Sequence, residues 1–347
     1  MNQELRELLA IARIDGGNGA AVTGSDWSRI VLLKNWGGIP PLRRLANTYL
    51  ESCGFNFLLL GPEGAPTHFC KCRPATSMAL QHEIAVLAAL SHDAELSRAV
   101  PKTWGVRSGG LQLLISAYVP GTPFDHTVAH LSAGQWAGTM NQILAVTRRV
   151  AQRAAETLPN LLGRGEPIGL REAARGSLAY LESVGLARGS LRSLETALGA
   201  GGTLHGSPQH GDLWPSNVVH SGGSWWLLDF EVFGEVQVPL YDVCHFVRTC
   251  SDLRYGAGRR ATAGRWIDRL MAGGAESEAC RGTIAAVARQ HALGPREVVG
   301  ALAYYLIDVA TQFHKRGGPR WYWEPHVLEV KRLAEVLGAG VDLERLL

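Results

Sequence analysis

Gln209-His210-Gly211-Asp212-Leu213-Trp214-Pro215-Ser216-Asn217, followed ten residues on by Leu227-Leu228-Asp229-Phe230-Glu231, is the stretch that decides how this chain is read. An aspartate, an asparagine five positions later and a second aspartate closing a short apolar run predict phosphoryl transfer from a metal-bound nucleotide. Asp212 can orient an acceptor hydroxyl and take its proton late in the reaction. The amide oxygen of Asn217 and the carboxylate of Asp229 are hard oxygen ligands of the kind Mg²⁺ prefers. A carboxylate ending a buried strand is costly without a cation, so Asp229 calls for a metal or, failing that, an arginine. Glu231 falls on the same side as Asp229 if the strand persists; there it assists the metal or only supports the loop. His210 is a base or, more in keeping with its place two residues before Asp212, a prop that holds the loop by hydrogen bonds. Asp242, after Pro239-Leu240-Tyr241, either caps a helix or braces the loop, and capping is the favoured expectation.

Working outward, the chain has 347 residues, more than one core usually serves, so two lobes are expected. With 46% hydrophobic and 19% charged residues it has the make-up of an ordinary soluble globular protein. Residues 1–116 carry 11 Lys+Arg against 9 Asp+Glu, and residues 117–347 carry 23 against 22. No basic face stands out, which argues against a nucleic-acid partner. The six cysteines form no paired C-x-x-C clusters, which argues against zinc; Cys70 and Cys72 are expected as small buried thiols. The N-terminus is charged and helix-like, unlike a signal peptide. The apolar stretch from Val298 to Phe313 is broken by Asp308 and short for a bilayer. The expectation is a cytoplasmic monomer or homodimer without a membrane partner.

Organisation changes along the chain. Phe55–Leu60 and Thr67–Arg73 read as strands around a Gly61-Pro62-Glu63-Gly64-Ala65-Pro66 turn. Thr76 or Ser77 caps a helix to about Leu90, with Leu80, Ile84 and Leu87 on one face. Lys102–Val106 and Leu111–Tyr118 form a second strand pair. After Val119-Pro120-Gly121-Thr122-Pro123 the pattern becomes helical: from Ser132 to about Leu158, then Leu170–Val184, Leu240–Cys250, Arg259–Ala272, Pro295–Lys315 and Pro325–Leu337. Within it a hairpin, Asn217–His220 with Ser224–Phe230, turns at Gly222-Gly223. The expected division is a sheet-rich lobe at 1–116, a hinge at 117–121 and a helix-rich lobe at 122–347, an α+β architecture.

Lysine is scarce, five residues against 29 arginines, so Lys71 on its strand is conspicuous. Alternation puts it on the face opposite Cys70 and Cys72. Glu83, twelve residues later on the following helix, is its expected partner, with Glu95 as the fallback; a strand lysine held by a helix glutamate is how a phosphate-gripping lysine is fixed. Backbone groups of Ala117, Tyr118 and Val119 are placed to meet an adenine ring, by position alone. Ser52-Cys53-Gly54 and Asn35-Trp36-Gly37-Gly38 are candidates for a phosphate loop, and no P-loop motif occurs. Trp321-Tyr322-Trp323-Glu324 is an edge-packing tract or a stacking wall for an acceptor.

Taken together, His210-Gly211-Asp212 through Asn217, Asp229-Phe230-Glu231 and Pro239-Leu240-Tyr241-Asp242 resemble the aminoglycoside phosphotransferase and choline kinase-like family, relatives of the protein kinases. Lys71, Glu83 and the Tyr118-Val119-Pro120-Gly121 hinge add to the match, which covers roughly residues 50–335. The resemblance implies a bilobal kinase-like fold with ATP or GTP and Mg²⁺. It implies Asp212 as catalytic base, Asn217 and Asp229 as metal ligands, and Lys71 on the nucleotide phosphates. It also implies a hydroxyl on a small molecule as acceptor: an antibiotic, a sugar, an amino alcohol or a natural-product intermediate. Trp214 stands where protein kinases commonly carry lysine, and Glu231 where they carry the glycine of D-F-G, so a protein substrate is disfavoured. The balanced charge of the C-terminal part favours an acceptor less cationic than an aminoglycoside. The competing expectation is an inactive nucleotide-binding regulator of the same fold.

Overall fold

The structure, a computed structural model, describes residues 29–32, 55–108, 110–162, 165–255 and 265–340. The helix-like N-terminus and both phosphate-loop candidates lie outside them. The chain divides into two compact units, one made of Met1–Gly121 with Ser221–Val232 and the other of Thr122–His220 with Phe233–Leu347.

In the first unit five strands, β1 (Arg29–Leu32), β2 (Phe55–Leu60), β3 (Pro66–Pro74), β4 (Thr103–Ser108) and β5 (Leu111–Ala117), form an antiparallel sheet in the order β1-β2-β3-β5-β4. The period of two sorts their side chains. Phe57 and Leu59, Cys70 and Cys72, Leu113 and Ile115 share one buried cluster. Lys71, between the two cysteines, points the other way. Helix α1 (Met78–Ser91) begins where the Ser77 hydroxyl accepts from the Leu80 N–H. It buries Leu80, Glu83, Val86, Leu87 and Leu90, so a glutamate sits in the apolar stripe. Its Ile84 lies against Gly105 of β4, where a Cβ would come within 2.5 Å.

The second unit is mostly helical. Helix Ala133–Thr157 opens with a capping box in which Ser132 and Gln135 satisfy each other's backbone N–H groups. Helix Pro295–Arg316 packs against Leu170–Ser183, Arg188–Gly201 and Arg320–Gly338. Two glycines allow one of these crossings. A Cβ on Gly300 would stand 2.9 Å from the Gly201 Cα and 2.8 Å from Leu170. Helix Tyr241–Arg254 buries an unbroken run from Tyr241 to Ser251. The Glu329 carboxylate accepts from the N–H groups of Trp266 and Ile267 and so caps the short helix Trp266–Met271.

Three boundaries differ from expectation. The helix predicted at Arg259–Ala272 is observed as Trp266–Met271, residues 256–264 being outside the described part. The last helix begins at Arg320 and carries Pro325 within it; a proline in the first turns sacrifices few backbone bonds. The hairpin strands are Val218–Ser221 and Ser224–Leu227, because Pro215–Asn217 closes as a turn of 3₁₀-helix first.

The glycine crossing is testable. Gly300→Ala forces two helix backbones apart and should cost about 1–3 kcal/mol, read from denaturant unfolding. Gly199→Ala, where nothing lies within 4 Å of the new Cβ, should be neutral or stabilise by up to about 1 kcal/mol. Equal effects would refute the crossing. Acid should also weaken this unit. Burial pushes His245 down to about 3, with Arg248 adding to the shift, and burial likewise holds His326 well below its ordinary value. Both rings stay neutral when folded and take protons when unfolded. Their contribution is complete above about pH 6.5 and is lost as pH falls from there towards the folded values. At pH 4.5 His245 alone should cost about 3 kcal/mol, from two pH units at about 1.4 kcal/mol each. Melting curves from pH 7.5 to 4.5 should fall less steeply in His245→Phe than in the parent; parallel curves would contradict the assignment.

Candidate active site

The sequence-predicted residues gather into two clusters, one in each unit. In the first, the Lys71 ammonium donates to both oxygens of Glu83 at 2.8 Å and to Oδ1 of Asp229 at 2.5 Å. Glu231 Oε2 lies 3.9 Å away. Lys71 is 4% exposed and Glu83 1%, so the pair is buried. Glu83 also accepts from the Phe230 N–H at 3.2 Å, which ties the Asp229-Phe230-Glu231 segment to α1. The fallback Glu95 sits on a short 3₁₀ turn and is exposed. The strand before Asp229 ends at Leu227, and Asp229 itself has φ +65°. A left-handed aspartate is uncommon and points to a site that holds it there. Glu231 therefore reaches Lys71 from a turn and not by strand alternation.

The charges of this cluster do not balance. Three carboxylates and one ammonium leave it at −2. Burial alone would lower the Lys71 pKa, but Glu83, Asp229 and Glu231 outweigh it and push the ammonium above its ordinary value. Glu83 is pushed up by burial, against the pull of Lys71, with Asp229 and Glu231 adding repulsion. The Lys71 ammonium is thus well supplied with counter-charge. Oxygens of Glu83, Asp229 and Glu231 lie within 4.8 Å of one another. A divalent cation would neutralise the group, and its oxygen donors suit Mg²⁺. With both Glu83 oxygens on Lys71, the half-buried Asp229 and Glu231 are the better placed ligands.

In the second unit, His210-Gly211-Asp212 is held by Asp242. Its carboxylate accepts from the His210 N–H at 2.6 Å and from the Gly211 N–H at 2.9 Å. Asp242 is therefore a brace; the capping expectation fails because its side chain turns back to the loop while helix Tyr241–Arg254 starts without a side-chain cap. Leu240, at φ +70° just before that helix, sets the direction from which Asp242 returns. Burial raises Asp242, opposed by His210 and the two backbone bonds. Gln209 completes the lock, its Oε1 accepting from the Asp242 N–H at 3.2 Å. Gly211 has φ +79°, a conformation strained for any side chain. The His210 ring is fully buried, edge-on to Phe233 at 6.3 Å, which fits a prop. Asn217 ends the 3₁₀ turn, and its Nδ2 donates to the Asp212 carbonyl at 2.9 Å, leaving the amide oxygen pointing elsewhere. Trp214 donates its indole N–H to Asp212 Oδ1 at 2.7 Å.

A model of the phosphotransferase enzyme family matches residues 55–282, or 228 of 347. The chain belongs to that family. No curated protein is significantly similar to this phosphotransferase in sequence. Among solved structures, the gentamicin–APH(2")-IIa complex is 13% identical, with 100% of this chain and 99% of that one covered and a TM-score of 0.51. Glucosamine kinase with glucosamine, ADP and inorganic phosphate is 17% identical, with 83% and 80% covered and a TM-score of 0.48. The aminoglycoside phosphotransferase APH(3'')-Id from Streptomyces rimosus, with ADP and streptomycin, is 17% identical, with 88% and 99% covered and a TM-score of 0.44. The phosphotransferase thus has the bilobal, kinase-like α+β fold.

The remaining candidates are less engaged. At the hinge the Ala117 and Tyr118 N–H groups are already bonded, to Lys102 and Thr67 carbonyls at 2.8 Å. Only Val119 of the three has an N–H outside those bonds. Tyr322 and Trp323 pack on Phe313 and His314 with ring centroids 5.1 and 4.5 Å apart, which favours packing over a stacking wall. Gln209, Trp214 and Leu240 carry roles that spacing did not reveal. Among the described residues no helix is long and apolar enough to cross a membrane.

The brace gives a local prediction. Asp242→Asn sets an amide N–H against a backbone N–H and should cost about 2–3 kcal/mol. Hydrogen exchange should quicken at the His210 and Gly211 amides and leave the core of helix Ala133–Thr157 protected. Unchanged exchange at those two amides would contradict the brace.

Proposed function

We propose that this chain is an ATP- and Mg²⁺-dependent O-phosphotransferase acting on a hydroxyl of a small molecule. What carries this reading is that one family match spans Lys71, Glu83, Asp212, Asn217, Asp229 and Glu231 together, and that carboxylate oxygens of Glu83, Asp229 and Glu231 lie close enough together to hold a metal ion. Asn217 and Asp229 would hold the metal. When bound, Mg²⁺ supplies charge neutralisation on the phosphate oxygens. Lys71, its ammonium kept protonated by Glu83, binds the nucleotide phosphates. Asp212 orients the acceptor hydroxyl and accepts its proton as the new O–P bond forms and the bond from the γ-phosphorus to the β,γ-bridging oxygen breaks, ADP being the leaving group. Asp242, through two backbone N–H groups, keeps that carboxylate's loop in place.

The acceptor in this proposal is an amino sugar or amino alcohol rather than a polycationic antibiotic, in line with 23 basic against 22 acidic residues beyond position 116. ADP release should be measured with ATP or GTP, with and without Mg²⁺, over glucosamine, simple amino alcohols, streptomycin, hygromycin B and gentamicin. Transfer should need Mg²⁺, prefer ATP, and favour the less charged acceptors. Asp212→Asn should lower kcat by about 10²–10⁴-fold at an unchanged KM for ATP. Nucleotide binding without turnover on any acceptor, or an active Asp212→Asn, would sink the proposal.

A further inference from the structure

Asp212 has a neighbour whose role the family motif leaves open. A carboxylate turns easily about its last torsion, yet a base must present an oxygen in one direction. Trp214 meets this need. Its indole N–H donates to Asp212 Oδ1 at 2.7 Å. The Trp214 backbone is fastened on both sides, its N–H to the Asp212 carbonyl at 2.8 Å and its carbonyl to the Asn217 N–H at 2.9 Å. The ring is fixed from behind. It stands edge-on to the His245 imidazole, centroids 4.9 Å apart and planes at 89°. His245 is 4% exposed, bonds the Tyr305 hydroxyl through Nδ1 at 3.3 Å, and lies parallel to Tyr241. Tyr241 is anchored in turn by a 2.8 Å bond to Asp308.

We propose that Trp214 is a positioning residue for proton acceptance: its indole N–H sets the plane of the Asp212 carboxylate, and the buried His245–Tyr241 stack sets the indole. This rests on Asp212 being the base. The indole holds one carboxylate oxygen without adding the charge that a lysine at this position would add.

Two readouts test it without a known acceptor. The first is the indole ¹⁵N–¹H signal of Trp214, assigned by its loss in Trp214→Phe. It should lie downfield in the parent, as for an N–H bonded to a carboxylate, and move upfield in Asp212→Asn, where the acceptor is neutral. The second is Mg²⁺-dependent ADP release from ATP with water in place of the hydroxyl. Trp214→Phe keeps an aromatic ring against His245 and removes the donor. It should lower kcat about tenfold and leave KM for ATP within about twofold. Trp214→His, which keeps a ring N–H, should recover part of the loss. An indole signal indifferent to Asp212→Asn, a Trp214→Phe enzyme that matches the parent, or a change in KM alone would overturn the proposal. If Trp214→Phe does not fold, the parent and Asp212→Asn spectra still decide, the signal then being assigned through Trp214→His. An Asp212→Asn enzyme with full turnover would instead refute the base assignment, and the position of the indole signal would be judged by itself.

Discussion

A buried ammonium has to find its counter-charges before a sheet can close over it. Lys71 lies on β3, the middle strand of five, with Glu83 brought from α1 and Asp229 from 158 residues further along the chain. Taking an ion out of water costs several kcal/mol, and removing one partner of a buried pair costs about 3–5 kcal/mol. The sheet register, the placing of α1 and the return of the 221–232 segment therefore all answer to one Nζ. The Glu83 carboxylate serves twice, for Lys71 and for the Phe230 N–H. Local strain at Asp229, the second aspartate of the motif, is tolerated because the cluster fixes it from several sides.

The second unit solves a different problem with similar means. A loop containing a left-handed glycine has backbone N–H groups that no helix or strand satisfies. Asp242 takes two of them, and Gln209 takes the N–H of Asp242 in return. The left-handed Leu240 is the cost of aiming that carboxylate backwards from the start of a helix. Rigidity at Asp212 is thus produced by backbone bonds below it and by an indole beside it.

Much of this was legible in the sequence, for identifiable reasons. Lys71 was visible because lysine is rare and strand alternation separates it from two buried thiols. Glu83 was visible because it falls on the helix that follows the lysine's strand, where a glutamate can reach back to it. Ser132 announced its helix through local capping chemistry. What escaped depends on direction in three dimensions. An aspartate in the first turn of a helix reads as a cap until the loop that claims it is seen. Asp229 reads as a strand end because a left-handed turn at an aspartate has no fixed sequence signal. Glu329 capping a helix over sixty residues earlier, and Gly201 meeting Gly300, are tertiary coincidences that no window of neighbouring residues contains.

The discontinuous make-up of the first unit has a consequence for how the chain comes into being. Its sheet and α1 are complete by residue 117, but the carboxylates of Asp229 and Glu231 arrive only with the segment that ends at Val232. During synthesis the Lys71–Glu83 pair must wait while about a hundred residues of the other unit emerge. A fragment cut at the hinge would keep the five strands β1 to β5 and still lack half of its charge cluster. The first unit is a structural body but not a genetic one, and its folding is finished from within the sequence of its neighbour.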